Sequence, residues 1–336
     1  MNGRHRIACC CLALALAACR QTVVFERVDG SLPDDFAHYC VDGDRDVLQY
    51  MLRPPNVIVA LDRSSSMNAP FGATTEVRAA LTALDDVSLR YQTSVRFGYV
   101  EFPGVSSTPS CSDVYGCCAG RIWPPFNDYM AFQYTAHTCD KPSFECVTSS
   151  EERPTAEALR ACFDAYRQPG TSAGNRYVLL ITDDAPTCGG GVGSGCSAAT
   201  MVMNLRDASV RTYVVVLGGV TNNDCLKAMA FAGGTETGAS PYYYSAVSPE
   251  MLSTTISKIA GTIAKDVCRL ELWDPVADPD QVALFLGTSR LKRGGPDGWD
   301  FDDKNGEWVT LQGAACEQLV AAPAGTLDVY HCAEHR

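Results

Sequence analysis

Apolar runs alternate with amphipathic stretches along most of this chain. The segments 56–61, 94–102, 176–182 and 210–217 have the length and the β-branched content of buried strands. Between and after them, apolar residues recur every three to four positions and predict helices at about 75–90, 155–167, 197–206, 224–231 and 248–264. This alternation predicts a doubly wound, mostly parallel α/β sheet with helices on both faces, over residues 54–264.

The pattern changes to a period of two after residue 264. The segments 267–273, 282–286, 308–311 and 326–331 alternate in this way, which is typical of strands with one buried face. Asn305-Gly306 is a good hairpin turn. Residues 265–336 are therefore predicted to form a small β-rich C-terminal domain.

Residues 103–150 interrupt the alternation inside the larger domain. They are rich in proline, serine and aromatic residues and contain five cysteines. Because an unstructured loop of this length is uncommon in a compact domain, we expect this insertion to be functional and pinned by disulfides.

The N-terminus has the features of a secretory signal. Arg4 and Arg6 precede an apolar segment from Ile7 to Leu16 that is too short to span a bilayer. Leu16-Ala17-Ala18-Cys19 resembles the lipobox at which bacterial lipoproteins are cleaved and acylated. We therefore predict a signal peptide over 1–18, a lipid on Cys19, and a tether and lead-in over 19–53. An ordinary signal with an incidental cysteine is the alternative.

Lipidation would place the protein in the cell envelope. Arg20 follows the modified cysteine, whereas aspartate at that place is the strong inner-membrane retention signal of enterobacterial lipoproteins, so the outer membrane is favoured. The formal net charge is −12, and it becomes −14 when the leader is removed with its two arginines. This acidic balance argues against nucleic acid as a partner.

Cysteine usage agrees with an oxidising compartment. Of 17 cysteines, Cys9, Cys10, Cys11 and Cys19 lie in or at the end of the leader, which leaves thirteen, an odd number, so at least one is not paired within the chain. Short separations suggest three local loops, which would join Cys188 to Cys196, Cys139 to Cys146, and Cys111 to Cys117 or Cys118. A zinc cluster is the weaker alternative, because no C-x-x-C motif occurs.

Oxygen-bearing side chains follow the predicted strands at positions that could hold one metal ion. The first run ends in a D-x-S-x-S pattern, the run from Tyr177 to Ile181 ends in Thr182-Asp183-Asp184, and a threonine opens the helix between them. If both runs are parallel strands, these residues converge at the carboxyl edge of the sheet. The predicted ligands are Asp62, Ser64, Ser66, Thr155 and Asp183.

This set suits a hard divalent cation such as Mg²⁺, which prefers oxygen ligands. Two carboxylates balance its charge, hydroxyls add neutral ligands, and one position stays open to an outside oxygen. Arg63 and Ser65, which alternate with the ligands, are expected to face away from the metal.

The segments LDRSSSM, TAEAL (from Thr155) and LLITDD resemble those of the von Willebrand factor type A (VWA) domain with its metal-ion-dependent adhesion site. The resemblance covers residues 54–264. It implies that the five residues above hold Mg²⁺, Mn²⁺ or Ca²⁺, directly or through water, and that the open position takes a Glu or Asp of a protein partner. Two positions depart from the family pattern: Ser65 and Asp184 both stand where glycine is common.

A second resemblance concerns the whole chain. The lipobox, the cysteine-rich insertion and the β-rich tail with GWDFDDKNGEW look like the VWA lipoproteins of gliding bacteria, which include an outer-membrane adhesin of gliding motility. It implies a non-enzymatic adhesion or scaffold protein at the cell surface.

Two other functions stay open at this point. A metal-dependent hydrolase would need a general base, but the sequence has no H-E-x-x-H motif, and metal ligation would occupy Ser64 and Ser66. A structural envelope lipoprotein with a non-functional metal site would make its contacts through the insertion or the C-terminal domain.

Overall fold

The computed structural model describes residues 45–51, 54–104, 117–120, 122–126, 132, 147–148, 150–168, 174–188, 196–220, 223–272, 282–287, 289–302, 306, 308–321 and 326–332. The predicted signal peptide, Cys19 and most of both the tether and the cysteine-rich insertion lie outside these residues. Among the helices of the described part, none has the length and apolar character needed to cross a membrane.

Six strands form the central sheet in the spatial order β6-β5-β2-β7-β8-β9. They are β2 (Asn56–Asp62), β5 (Arg96–Phe102), β6 (Ile122–Phe126), β7 (Arg176–Thr182), β8 (Val210–Leu217) and β9 (Tyr244–Ala246). All neighbours run parallel except β6, which pairs antiparallel with β5 at one edge. When these six strands alone are numbered 1 to 6 in chain order, their spatial order is 3-2-1-4-5-6, which is the strand order of doubly wound folds. The predicted fold class is confirmed.

Helices cover both faces of this sheet. On one face α1 (Glu76–Arg90) packs beside α5 (Pro249–Ala264), and on the other lie α2 (Thr155–Tyr166), α3 (Ser197–Asp207) and α4 (Asp224–Gly233). Val57, Val59 and Leu61 of β2 point into the first layer, and Ile58 and Ala60 point into the second. Burial on both faces explains why this strand is a continuous apolar run rather than an alternating one.

Short-range sequence signals set the helix starts. The Ser248 hydroxyl accepts a 3.2 Å hydrogen bond from the Met251 amide ahead of Pro249, as the Ser-Pro pair predicts. The short antiparallel pair β3 (Pro70–Phe71) and β4 (Thr74–Thr75) leads into α1, whose N-terminal cap position is Thr75. The last strand, β9, is short and begins at Tyr244, and two residues earlier Tyr242 has a φ of 73° that extended backbone does not allow.

A second group of elements surrounds its own core. It contains β1 (Arg45–Met51), β10 (Arg269–Glu271), β11 (Val282–Leu286), β12 (Ser289–Arg290), β13 (Trp299–Phe301), β14 (Trp308–Leu311), α6 (Gly313–Ala321) and β15 (Thr326–Cys332). The strands form two sheets, β1-β15-β11-β12 and β10-β14-β13. Leu284, Trp299, Val309, Leu319 and Val329 are among its fully buried side chains.

Two elements of this group were not predicted from the sequence. Residues 45–51, assigned to the lead-in, form an antiparallel strand against β15, with Leu48 opposite Val329. Residues 313–321, inside the predicted β-rich domain, form α6, in which Ala315 and Leu319 are one turn apart and both lie in the core. The predicted hairpin is present as the antiparallel pair β13 and β14, with Gly306 at a φ of 67°.

The disulfides between described residues join cysteines that are distant in sequence. The described pairs are Cys117–Cys188, Cys196–Cys225 and Cys268–Cys316, at separations of 71, 29 and 48 residues. The predicted Cys188–Cys196 and Cys111–Cys117 pairs are therefore wrong. The fold brings Cys188 to Cys117 and Cys196 to Cys225, although these partners are farther apart in the sequence. Cys139 and Cys146 lie outside the described residues. Cys162 is a buried free thiol, as the odd number requires for at least one cysteine.

Candidate metal centre

The candidate site lies where the connections of the central sheet reverse direction. From β2 the chain proceeds to β5 on one side, and from β7 it proceeds to β8 on the other. The ends of β2 and β7 at residues 62 and 182 therefore flank a crevice at the carboxyl edge, the usual ligand position in such sheets.

Asp62 is held in this crevice by two hydrogen bonds. Its Oδ1 accepts from the Ser64 amide at 2.8 Å, and its Oδ2 accepts from the Thr182 hydroxyl at 2.6 Å. The side chain is fully buried. Burial raises the pKa of Asp62 to about 6, and the nearby charge of Asp183 adds to this. The carboxylate is thus oriented but lacks a compensating cation among the described residues.

Ser64 and Ser66 lie beside each other on the loop that follows β2. Their hydroxyl oxygens are 2.9 Å apart. Ser64 is fully buried and Ser66 is partly exposed, so the site opens outward at Ser66. The Ser65 amide donates to the Ser150 carbonyl at 2.8 Å, which fastens this loop to the segment leading into α2. Arg63 points away, as predicted, and pairs with Glu101.

The other two predicted ligands contribute oxygens without partners. Thr155 is the first residue of α2 and is fully buried, and its Oγ1 makes no hydrogen bond. Asp183 follows β7, is 8% exposed, and its inaccessible Oδ1 has no partner either. Buried oxygens of this kind are rare in native proteins unless a water or an ion satisfies them. Their hard donor atoms fit a divalent cation.

Three further side chains belong to this region and are not among the ligands predicted from the sequence. The first is Thr182, the donor to Asp62, which the sequence shows only as part of a strand end. The second is Arg153, whose Nη1 donates to Ser66 Oγ at 3.2 Å, while its Nε donates to the Ala185 carbonyl at 2.8 Å. Its place two residues before the predicted ligand Thr155 is the sequence feature that could have indicated its presence at the site.

Glu76 is the third. It opens α1, is 4% exposed, and its Oε2 has no hydrogen-bond partner. Burial, followed by the charges of Asp183 and Asp62, raises its pKa to about 7. No sequence signal separates this glutamate from one that simply favours the first turn of a helix.

Asp184, the departure from the family pattern, faces outward. Its Oδ1 accepts from the Ala185 amide at 2.7 Å, and its Oδ2 lies 3.5 Å from Arg153 Nη2. It therefore offsets part of the charge of Arg153 at the rim of the site.

A cluster of two cysteines and one acid lies close to the same loops. Glu152 Oε2 accepts from the Thr187 hydroxyl at 2.6 Å and lies 3.5 Å from Cys188 Sγ and 4.0 Å from Cys117 Sγ. Such a trio could hold a metal. Because the two sulfurs are bonded to each other, they offer no thiolate. The oxygen set around Asp62 is the better metal site.

Comparisons with known proteins give similarity in structure only. No protein-family model matches the sequence, and no curated protein matches it. BatB of Bacteroides thetaiotaomicron is 17% identical with a TM-score of 0.46, over 62% of this chain and 98% of that one. The pilus adhesin SpaC of Lactobacillus rhamnosus GG is 12% identical with a TM-score of 0.47, over 85% of this chain and 40% of that one.

A third structure is proximal thread matrix protein 1 of the mussel byssus, described with a zinc-occupied MIDAS motif. It is 13% identical with a TM-score of 0.44, over 65% of this chain and 48% of that one. This chain therefore spans less than half of SpaC and of the mussel protein. With all three scores below 0.5, the strand order of the central sheet remains the basis for its fold class.

Proposed function

We propose that this protein is a lipid-anchored envelope protein whose VWA-type domain binds an acidic residue of a protein partner through a divalent metal ion. The metal would be held by Asp62, Ser64, Ser66, Thr155 and Asp183. The observation that carries the proposal is the pair of buried, unpartnered oxygens on Thr155 and Asp183 at the sheet edge where Asp62 is also held.

The proposed ligands would have two different functions in binding the metal. Asp62 and Asp183 balance a dication, and the hydroxyls of Ser64, Ser66 and Thr155 complete the site without adding charge. The bound ion supplies a position that an outside carboxylate can occupy. Ser66 lies on the accessible side, which favours approach from there.

Arg153 supports the choice of an acidic partner. Its guanidinium lies at the mouth of the site against Ser66 and is 13% exposed. A fixed positive charge here would attract a carboxylate at contact distance although the whole chain carries −12. At this range a local charge outweighs distant ones, because salt screens beyond about 8–10 Å.

The anchor would be the lipid on Cys19, with the protein in the outer membrane. In this arrangement the protein would act as an adhesin or a scaffold, and its metal centre would serve gliding motility or attachment at the cell surface. The absence of H-E-x-x-H from the sequence supports a non-enzymatic role. Incorporation of labelled palmitate by the wild type but not by Cys19→Ser would support the anchor.

A metal-dependent pull-down from intact cell envelopes tests the central proposal. The wild type should capture a partner in Mg²⁺ and lose it in EDTA, and Asp62→Ala and Asp183→Ala should lose both partner and metal while staying folded. Asp224→Ala removes one fully exposed acid on α4 and should behave as the wild type. Partner capture that is unchanged in EDTA would contradict the proposal.

A structural lipoprotein with a non-functional metal site is the second candidate. The hydrogen bond from Arg153 to Ser66 favours it, because the protein's own cation could satisfy the site. Calorimetric titration with Mg²⁺ and Mn²⁺ separates the two, since only the first candidate requires binding.

A further inference from the structure

Glu76 has no structural explanation in the fold around it. Glutamate is almost never fully buried unless it is paired, yet this side chain is 4% exposed and its Oε2 has no hydrogen-bond partner. Its backbone amide is accounted for by the Ala69 carbonyl at 3.2 Å. Within the described residues its carboxylate forms no ion pair.

The carboxylate of Glu76 points to the edge of the sheet that carries the candidate metal centre. A side chain added at Gly218, immediately after β8, would place its Cβ 2.7 Å from Glu76 Oε1. Gly218 has a φ of 72°, a backbone conformation that favours glycine. Because glycine has no Cβ, the carboxylate of Glu76 can lie against this position. The charges of Asp183 and Asp62 act on the same group.

Three buried acids thus act on one another electrostatically, and among the described residues none of the three forms an ion pair. Each would raise the energy of the others when ionised. An arrangement of this kind is costly in the metal-free protein and becomes favourable when a dication enters, and cation affinity in oxygen sites rises with the number of charged ligands.

We propose that Glu76 is a third acidic residue of the metal centre, one that raises its affinity for divalent cations at the expense of the stability of the metal-free fold. This inference rests on the proposed metal site and adds a residue to it. It makes the centre more acidic than the two-carboxylate set predicted from the sequence.

The test is a titration of wild type and Glu76→Gln with Mg²⁺, Mn²⁺ and Ca²⁺ at pH 8, together with thermal unfolding in EDTA. We expect Glu76→Gln to bind each ion at least about tenfold more weakly and to unfold a few degrees higher in EDTA. Glu157→Gln is the matched control, because Glu157 is also in the first turn of a helix but is 44% exposed. It should change neither quantity.

Glu76→Asp serves as a second variant if Glu76→Gln does not fold. Its side chain keeps the negative charge but is one methylene shorter. Its metal affinities should therefore lie between those of the wild type and Glu76→Gln. Metal affinity equal to the wild type in Glu76→Gln, or in Glu76→Asp when only that variant folds, would overturn the inference. If Asp183→Asn abolished binding in the same series, the proposed metal site would stand without Glu76. Absence of binding by the wild type would instead remove the proposed function.

Discussion

The Thr182 hydroxyl donates a 2.6 Å hydrogen bond to Asp62 Oδ2 between the ends of two neighbouring parallel strands. It joins residues 120 positions apart and fixes the orientation of the most deeply buried acid of the candidate site. The candidate metal centre therefore depends on a residue that is not among its proposed ligands.

Replacement of this donor should weaken metal binding. Thr182→Val keeps the shape of the side chain but leaves Asp62 with one hydrogen bond fewer, and losing a hydrogen bond to a charged group costs about 1.5–3 kcal/mol. We expect Mg²⁺ affinity, measured by calorimetry, to fall at least about tenfold. Thr212→Val is the control, since Thr212 is equally buried on β8 and its hydroxyl has no partner. Equal affinities for Thr182→Val and the wild type would contradict the role of Thr182.

The disulfide nearest the site should affect metal binding, and a distant one should not. Cys117–Cys188 ties the segment after Asp183 and Asp184 to the insertion. Replacing both cysteines with serine should loosen that segment and lower Mn²⁺ affinity. The same replacement at Cys268–Cys316 should lower the free energy of unfolding by about 2–4 kcal/mol and leave Mn²⁺ affinity unchanged. Titration with Mn²⁺ and denaturant unfolding of both double variants provide the comparison. Equal losses of Mn²⁺ affinity in the two variants would contradict a specific effect of Cys117–Cys188.

Stability of the metal-free protein should fall as the pH rises from about 4 to 7. The pKa of Asp62 is raised from 3.8 to about 6 and that of Glu76 from 4.5 to about 7. In this window the folded protein binds more protons than the unfolded chain, so the free energy of unfolding decreases with pH. A metal ion binds the ionised acids, and the difference between Mg²⁺ and EDTA should therefore widen with pH.

Urea unfolding at several pH values checks this expectation. Asp62→Asn removes one of the two titrating acids, and its stability in EDTA should fall less steeply than that of the wild type. Parallel curves for the two proteins would show that Asp62 does not titrate as described.

Removal of the charge of Arg153 should strengthen metal binding. A guanidinium that hydrogen-bonds to Ser66 repels a dication at the same oxygen, so we expect Arg153→Gln to bind Mg²⁺ a few times more tightly. Arg160→Gln is the control, because Arg160 lies on α2, which begins two residues after Arg153, and is 59% exposed. If the proposed partner is acidic, Arg153→Gln should capture less of it from envelopes despite the tighter metal. Weaker Mg²⁺ binding in Arg153→Gln would show that Arg153 supports the site instead.

The sequence by itself determined the order and type of the main elements and the fold class. It did so because burial on both faces makes the strands continuous apolar runs, while helices show a period near 3.6. It also pointed to the five proposed ligands, since the carboxyl ends of parallel strands meet at one edge and Asp62 and Asp183 follow two such strands. Signals of this kind are local and survive in the order of the residues.

Only the tertiary structure decided which other groups meet there. The bond from Thr182 to Asp62, the approach of Arg153 to Ser66 and the burial of Glu76 against Gly218 each join segments far apart in the chain. The same holds for Cys117–Cys188 and for the pairing of β1 with β15. These contacts depend on how the packed elements face one another, and no periodicity or spacing in the sequence shows which distant residues will come into contact.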